Sequence, residues 1–326
     1  MPLTDIDLTE SSHLENIDRC SLPAHLTEVI DAYEAVGGER DRFLWQWLYY
    51  VFPTIELSCV EPDASQQVRE VKFLASMYVV VLDDLAEAAK DQRTFQEASK
   101  IPFDHLEPDI DDPAVDADRV AFAVAVWERV MATLESAPRG STFEDVFLFD
   151  IAQTHTAIEY SALVNRHLEL ATVESITAYD SYNMMLFTYA DIDLCFGPAF
   201  DRNEIGSLRR ITRRAQMMAR IGNWVTTWER ELREGDYSSG VVIAALEDGV
   251  VSREQVRACG DDAETTEACI DAIADAGIES RFLHQWDTHY QEIKRLAPAL
   301  ESVDVDALLG GLETLLECHL VSRGHK

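Results

Sequence analysis

The chain has 326 residues, with 27 Lys+Arg against 60 Asp+Glu, a formal net charge of −33 and a hydrophobic share of 47%. That share excludes an intrinsically disordered acidic chain, which would lack the apolar residues for a core. The mean field repels polyanions and excludes unaided binding to DNA, RNA or anionic lipid, but not a small anion bridged by metal ions.

In chain order, Met1–Glu10 has neither a basic n-region nor an apolar core, so no signal peptide is expected. Residues 1–20 read as a candidate flexible segment. Beyond them the pattern is helical, with little strand-like alternation. Helices are predicted over 24–35, 40–58, 65–90, 115–136, 143–168, 172–195, 204–234, 251–257, 263–274, 277–298 and 303–320. Loops are predicted at the Asp- and Pro-rich Ile101–Pro113, at Ala137–Gly140, and at the Gly-containing breaks Gly197-Pro198, Gly235-Asp236 and Gly260–Asp262. No break separates independent units, so one all-α domain over 1–326 is expected.

No stretch reaches the roughly 18 apolar residues of a membrane span, so stable membrane insertion is not expected. The six cysteines form no CxxC pair and read as reduced, mostly buried thiols, with Cys259–Cys269 as a conceivable disulfide. The acid is spread along the chain rather than gathered in a tail. Such a surface stays hydrated in concentrated salt, and it suggests a cytoplasmic protein of a salt-accumulating organism. An ordinary acidic protein with an extreme charge is the plainer alternative.

Two segments carry chemistry. The first, Phe73 to Glu87, is an apolar helical run that ends in Asp83, Asp84 and Glu87. Asp83 and Glu87 are four apart and share a face, with Asp84 beside them. Grouped carboxylates repel one another unless they are hydrated, protonated or bound to cations, and hard oxygen ligands suit Mg²⁺. In so acidic a chain the same spacing is also what an ordinary acidic helix end gives.

The second segment, Asn223 to Glu231, places Asn223, Thr227 and Glu231 four and four apart, in one stripe along one face. An amide oxygen, a hydroxyl and a carboxylate together can ligate Mg²⁺. Arg230, beside Glu231, can reach a phosphate oxygen. The plain alternative is a solvated polar face with Trp224 and Trp228 packed into the core.

With both motifs in view, the sequence resembles the class I terpene synthases, from about Phe43 to Arg323. That resemblance implies a single-domain helical bundle around a central cavity. Asp83, Asp84 and Glu87 match the family's aspartate-rich motif, and Asn223, Thr227 and Glu231 its Asn–Ser/Thr–Glu triad. It further implies three Mg²⁺ ions bound by those six residues, and ionisation and cyclisation of a linear C15 or C20 prenyl diphosphate with loss of diphosphate. Asp83, Asn223, Thr227 and Glu231 would be catalytic. Arg230 and Arg323 would bind diphosphate.

The chain departs from the family pattern in three places. Tyr182 or Asn183 stands where the diphosphate-sensing arginine is expected. Arg323 lacks the tyrosine that usually follows it. Trp224 follows Asn223, where an Asp is often found.

Phe73, Met77 and Met185 are candidate substrate-facing residues, each also readable as core. His155 and Glu159 read as a packed pair rather than a metal site, and Arg209, Arg210, Arg213 and Arg214 as surface cations. The expected partner is a prenyl diphosphate, with no nucleic acid, for a monomer or homodimer. Two other functions stay open: a prenyl diphosphate synthase, which usually carries two aspartate-rich motifs, and a non-catalytic prenyl-diphosphate-binding protein.

Overall fold

A computed structural model describes residues 12–325. The described residues form helices and turns without a strand. The chain runs through α1 (His13–Asp18), α2 (Ala24–Ala35), α3 (Arg42–Val51), α4 (Ser65–Asp83), α5 (Gln92–Ala98), α6 (Ala117–Ser136), α7 (Gly140–Arg166) and α8 (Val173–Tyr179). It continues through α9 (Leu186–Cys195), α10 (Ile205–Glu234), α11 (Gly240–Glu247), α12 (Arg253–Ala258), α13 (Ala263–Asp275), α14 (Ile278–Leu296) and α15 (Val305–Val321). Of the segment 1–20, residues 1–11 lie outside the described residues, and Ile17 of α1 is buried.

Part of the acid excess serves the helix starts. Asp41, Asp91, Asp116, Asp262 and Asp304 each cap a helix, accepting from backbone N–H groups of the first turn. A capping carboxylate satisfies an orphan donor and opposes the positive end of the helix dipole.

The core is one cluster. Helix α10 packs against α9, α14 and α15, α4 against α6, and α7 against α9. Trp45, Trp224 and Trp228 are wholly buried. Lys72 of α4 and Asp193 of α9 form a wholly buried ion pair at 2.6 Å, and Asp193 also accepts from the Leu57 backbone N–H at 2.9 Å.

The predicted helices differ from the observed ones where packing or proline intervenes. The helix predicted over 40–58 stops at Val51, and Pro53 continues it as the tighter 3₁₀ turn Phe52–Ile55. The helix predicted over 172–195 is three pieces: α8, the 3₁₀ turn Asp180–Met184, and α9. Met185 makes the break by taking a left-handed conformation with φ 58°. Helix α11 went unpredicted because it has no polar face, Gly240 through Ala245 all being buried.

All six cysteines are free thiols, Cys259 and Cys269 among them. Among the described residues no helix is long and apolar enough to cross a membrane.

Candidate active site

A cavity of about 830 Å³ opens between α3, α4, α7, the 180–185 break, α9, α10 and α15. Both acidic motifs reach it. Asp83 and Glu87 line one wall, and Asn223, Thr227 and Glu231 line another with Arg230 at the rim.

On the first wall, α4 ends in a π-turn over Asp84–Ala88, where the Ala89 N–H donates to the Asp84 carbonyl at 2.8 Å. Such single wide turns recur at functional sites. Asp84 is turned off the lining and held by the Tyr33 hydroxyl and by Arg40 Nε at 2.7 Å. Arg40 Nη2 also reaches Asp83 Oδ2 at 2.7 Å. Asp83 Oδ1 is buried without a hydrogen-bond partner.

On the second wall, the Thr227 hydroxyl donates to the Asn223 carbonyl at 2.9 Å, which leaves its lone pairs free. Asn223 Oδ1 accepts from Arg220 Nη1 at 2.7 Å. Arg220 lines the cavity one turn before the triad and is fixed by Asp180 at 2.6 Å. Asp180 is wholly buried and accepts from Ser161 at 2.9 Å.

A third group was read from the sequence only as a helix end. Gly235 closes α10 in the left-handed region, φ 78°, and turns Asp236 into the cavity. Asp236 accepts from Asn165 Nδ2 at 2.9 Å and from the Ser238 N–H and hydroxyl at 2.9 and 2.8 Å. Asn165 in turn accepts from the Tyr237 N–H at 2.8 Å.

The carboxylates feel one another. Burial, then Asp236, pushes Glu231 up to about 7. Burial, then Asp83 and Asp236, holds Glu87 well above the usual carboxylate range. Burial also raises Asp83, against the pull of Arg40. A set of hard oxygens short of positive charge is chemically suited to a divalent cation. Among the described residues, however, no group of three or more His, Cys, Asp or Glu side chains is arranged to hold a metal ion.

The other sequence-derived candidates divide by helical angle. Ser76, Val79 and Val80 share the face of Asp83 and line the cavity, whereas Phe73 and Met77 point away into the core, Phe73 packing on Trp45 and Tyr49. Asn183 and Met185 line the cavity at the break. Tyr182 does not: it stacks on Phe187 at 5.6 Å and pairs with Arg213. Arg323 also lies off the lining, held by Glu279 at 2.8 Å and Glu229 at 2.7 Å. Leu44, Trp47, Leu48, Val79, Val80 and Met185 form the apolar end.

No protein-family model matches the sequence, and no curated protein matches it by sequence. Solved structures match its fold. An isoprene synthase from grey poplar leaves (Populus x canescens) aligns over 94% of this chain with a TM-score of 0.60 and 12% identity, and the chain spans 52% of that protein. A 2-methylisoborneol synthase from Streptomyces coelicolor A3(2), in complex with Mg²⁺ and geranyl-S-thiolodiphosphate, aligns over 96% of this chain and 92% of its own, with a TM-score of 0.57 and 14% identity. A geranylgeranyl pyrophosphate synthetase from Pyrococcus horikoshii Ot3 aligns over 95% and 99%, with a TM-score of 0.54 and 14% identity. The fold is that of the class I terpenoid synthases and prenyltransferases.

Proposed function

We propose that the chain is a class I terpene cyclase that ionises a linear C15 or C20 prenyl diphosphate, cyclises it and releases diphosphate. One observation carries the reading: the Asn223–Thr227–Glu231 stripe faces the same cavity as Asp83 and Glu87.

Mg²⁺ fits the donor set. Asp83 has a buried, unpartnered oxygen, Thr227 has free lone pairs, and Glu87 and Glu231 sit among like charges. Asp83, Glu87, Asn223, Thr227 and Glu231 would hold the ions, with Asp84 behind them; the family resemblance implies three. Bound there, Mg²⁺ would supply the positive charge that lets diphosphate leave. Arg220 and Arg230 present guanidinium donors to the anion at the same end. The wall formed by Leu44, Leu48, Val79 and Val80 excludes water, and the π faces of Trp47 and Tyr189 favour a passing carbocation. The reading includes a salt-adapted cytoplasmic enzyme, monomer or homodimer.

The test is incubation of purified protein with farnesyl and geranylgeranyl diphosphate, with and without Mg²⁺, at low and high salt. The expected result is Mg²⁺-dependent diphosphate release with a cyclic hydrocarbon or alcohol. No release under any condition overturns the proposal. The fold likeness to a geranylgeranyl pyrophosphate synthetase supports a second reading, chain elongation. Adding isopentenyl diphosphate discriminates, because only a prenyltransferase yields a longer diphosphate.

A further inference from the structure

Both aspartates at the end of α4 already share one cation of the protein itself. Arg40 forks across them, Nη2 to Asp83 Oδ2 and Nε to Asp84 Oδ1, each at 2.7 Å. Two donors of one planar guanidinium on two carboxylates make a specific contact, not a diffuse surface pair.

The segment that carries Arg40 is itself fastened. Arg119 of α6 donates to the Val36 and Gly37 carbonyls at 3.0 Å. Gly37 turns the chain at φ 84°. The Arg40 N–H donates to the Tyr33 hydroxyl, which in turn donates to Asp84. On the other side Asp41 caps α3. The backbone of residue 40 is therefore fixed, while its side chain, about one third exposed, lies along the cavity wall.

We infer that Arg40 is an exchangeable internal counter-ion: it occupies Asp83 and Asp84 until a divalent cation displaces it, and once displaced it binds the anion that enters with the metal. The inference rests on the proposed metal-dependent reading of the same cavity. The charge balance supports it. With Arg40 in place, Asp83 Oδ2 is engaged and only Oδ1 is left over. A metal taking both oxygens must compete with a guanidinium held at hydrogen-bond distance. The released guanidinium stays tethered to the cavity wall by its fixed backbone, where its charge is available to a diphosphate that enters. Loading the cation and preparing to receive the anion thus become one event.

The test uses the full chain, Mn²⁺ as the probe cation and inorganic pyrophosphate as the probe anion. Mn²⁺ binding is followed by electron paramagnetic resonance and pyrophosphate binding by calorimetry. Arg40→Gln is expected to bind Mn²⁺ alone about tenfold more tightly than the native chain, and to bind pyrophosphate in the presence of Mn²⁺ about tenfold more weakly. Arg40→Lys keeps the charge but loses the fork, and is expected to fall between the two on both measures. It also provides the comparison if Arg40→Gln fails to fold without metal. Unchanged or weaker Mn²⁺ binding in both variants overturns the counter-ion. Tighter Mn²⁺ binding with unchanged pyrophosphate binding overturns the transfer to the anion. If neither the native chain nor any variant binds Mn²⁺, the metal-dependent reading of the cavity fails, and the counter-ion with it.

Discussion

Arg220 and Asn223 are joined side chain to side chain, Nη1 donating to Oδ1 at 2.7 Å, one turn apart on the same face of α10. The triad asparagine is thereby oriented by a guanidinium that is itself anchored to Asp180. The stripe on α10 is therefore four residues long, Arg220, Asn223, Thr227 and Glu231, and all four reach the cavity.

The Arg220–Asp180 pair is buried, so removing one partner strands the other. Arg220→Met is expected to cost about 3–5 kcal/mol of folding stability, because a desolvated carboxylate is left without its cation. The double variant Arg220→Met/Asp180→Asn should regain most of that loss. Urea unfolding of the two variants checks this. A single variant as stable as the native chain contradicts the pairing.

Glu231 sits where burial and Asp236 disfavour its charge. Glu231→Gln is expected to lower turnover of a prenyl diphosphate at least about a hundredfold, a loss of about 2.7 kcal/mol in the barrier. It should also raise the melting temperature of the metal-free protein by relieving repulsion, as often happens when a functional charge is removed. Asn223→Ala should abolish turnover with helix content unchanged. Circular dichroism and diphosphate release separate the two effects.

His155 is buried, with Nε2 3.3 Å from the Tyr78 hydroxyl, and it makes ring contact with Phe103 at 6.0 Å. Burial holds it down to about 3 in the fold, against about 6.5 in the unfolded chain. Between those values the unfolded chain binds a proton that the native chain does not. The stability due to neutral His155 is therefore complete above about pH 6.5 and falls by about 1.4 kcal/mol per unit as the pH drops below it. His155→Phe should remove that slope. The stability difference between native and variant is expected to shift by about 2 kcal/mol between about pH 7.5 and about pH 5. A constant difference counts against it.

Val80 lines the cavity one turn before Asp83 and is only partly buried. Val80→Phe should grow into the cavity rather than into the core, and so reduce turnover of geranylgeranyl diphosphate more than that of farnesyl diphosphate. Product analysis by mass spectrometry with both substrates checks it. Equal loss on both counts against a cavity that measures chain length.

Much of this arrangement was legible in the sequence. The stripe on α10 lies on a long amphipathic helix whose angles follow from spacing alone, whereas Glu87 follows Asp83 across a π-turn that the spacing did not announce. Arg220 was legible too, since extending the stripe back by three residues from Asn223 reaches it. Phe73 and Met77 take the core alternative, since their helical angle turns them away from the face of Asp83. The break at Met185 was hidden, because no glycine or proline marks it and only the surrounding packing holds a methionine at positive φ. Asn165 and Asp236 meet across 71 residues of chain, and nothing local in either segment announces the other.

The wide turn at Asp84–Ala88 has a consequence for length rather than chemistry. Because it holds one more residue than an α-turn, it takes up one residue of slack before the chain leaves the helix at Lys90, φ 52°. Deleting either Ala86 or Ala88 would let the turn close to α geometry. Without Ala88, Glu87 stays four residues from Asp83 and keeps its face, with every charged residue still present. In this stretch an alanine is slack, and losing it should cost the site less than losing a carboxylate.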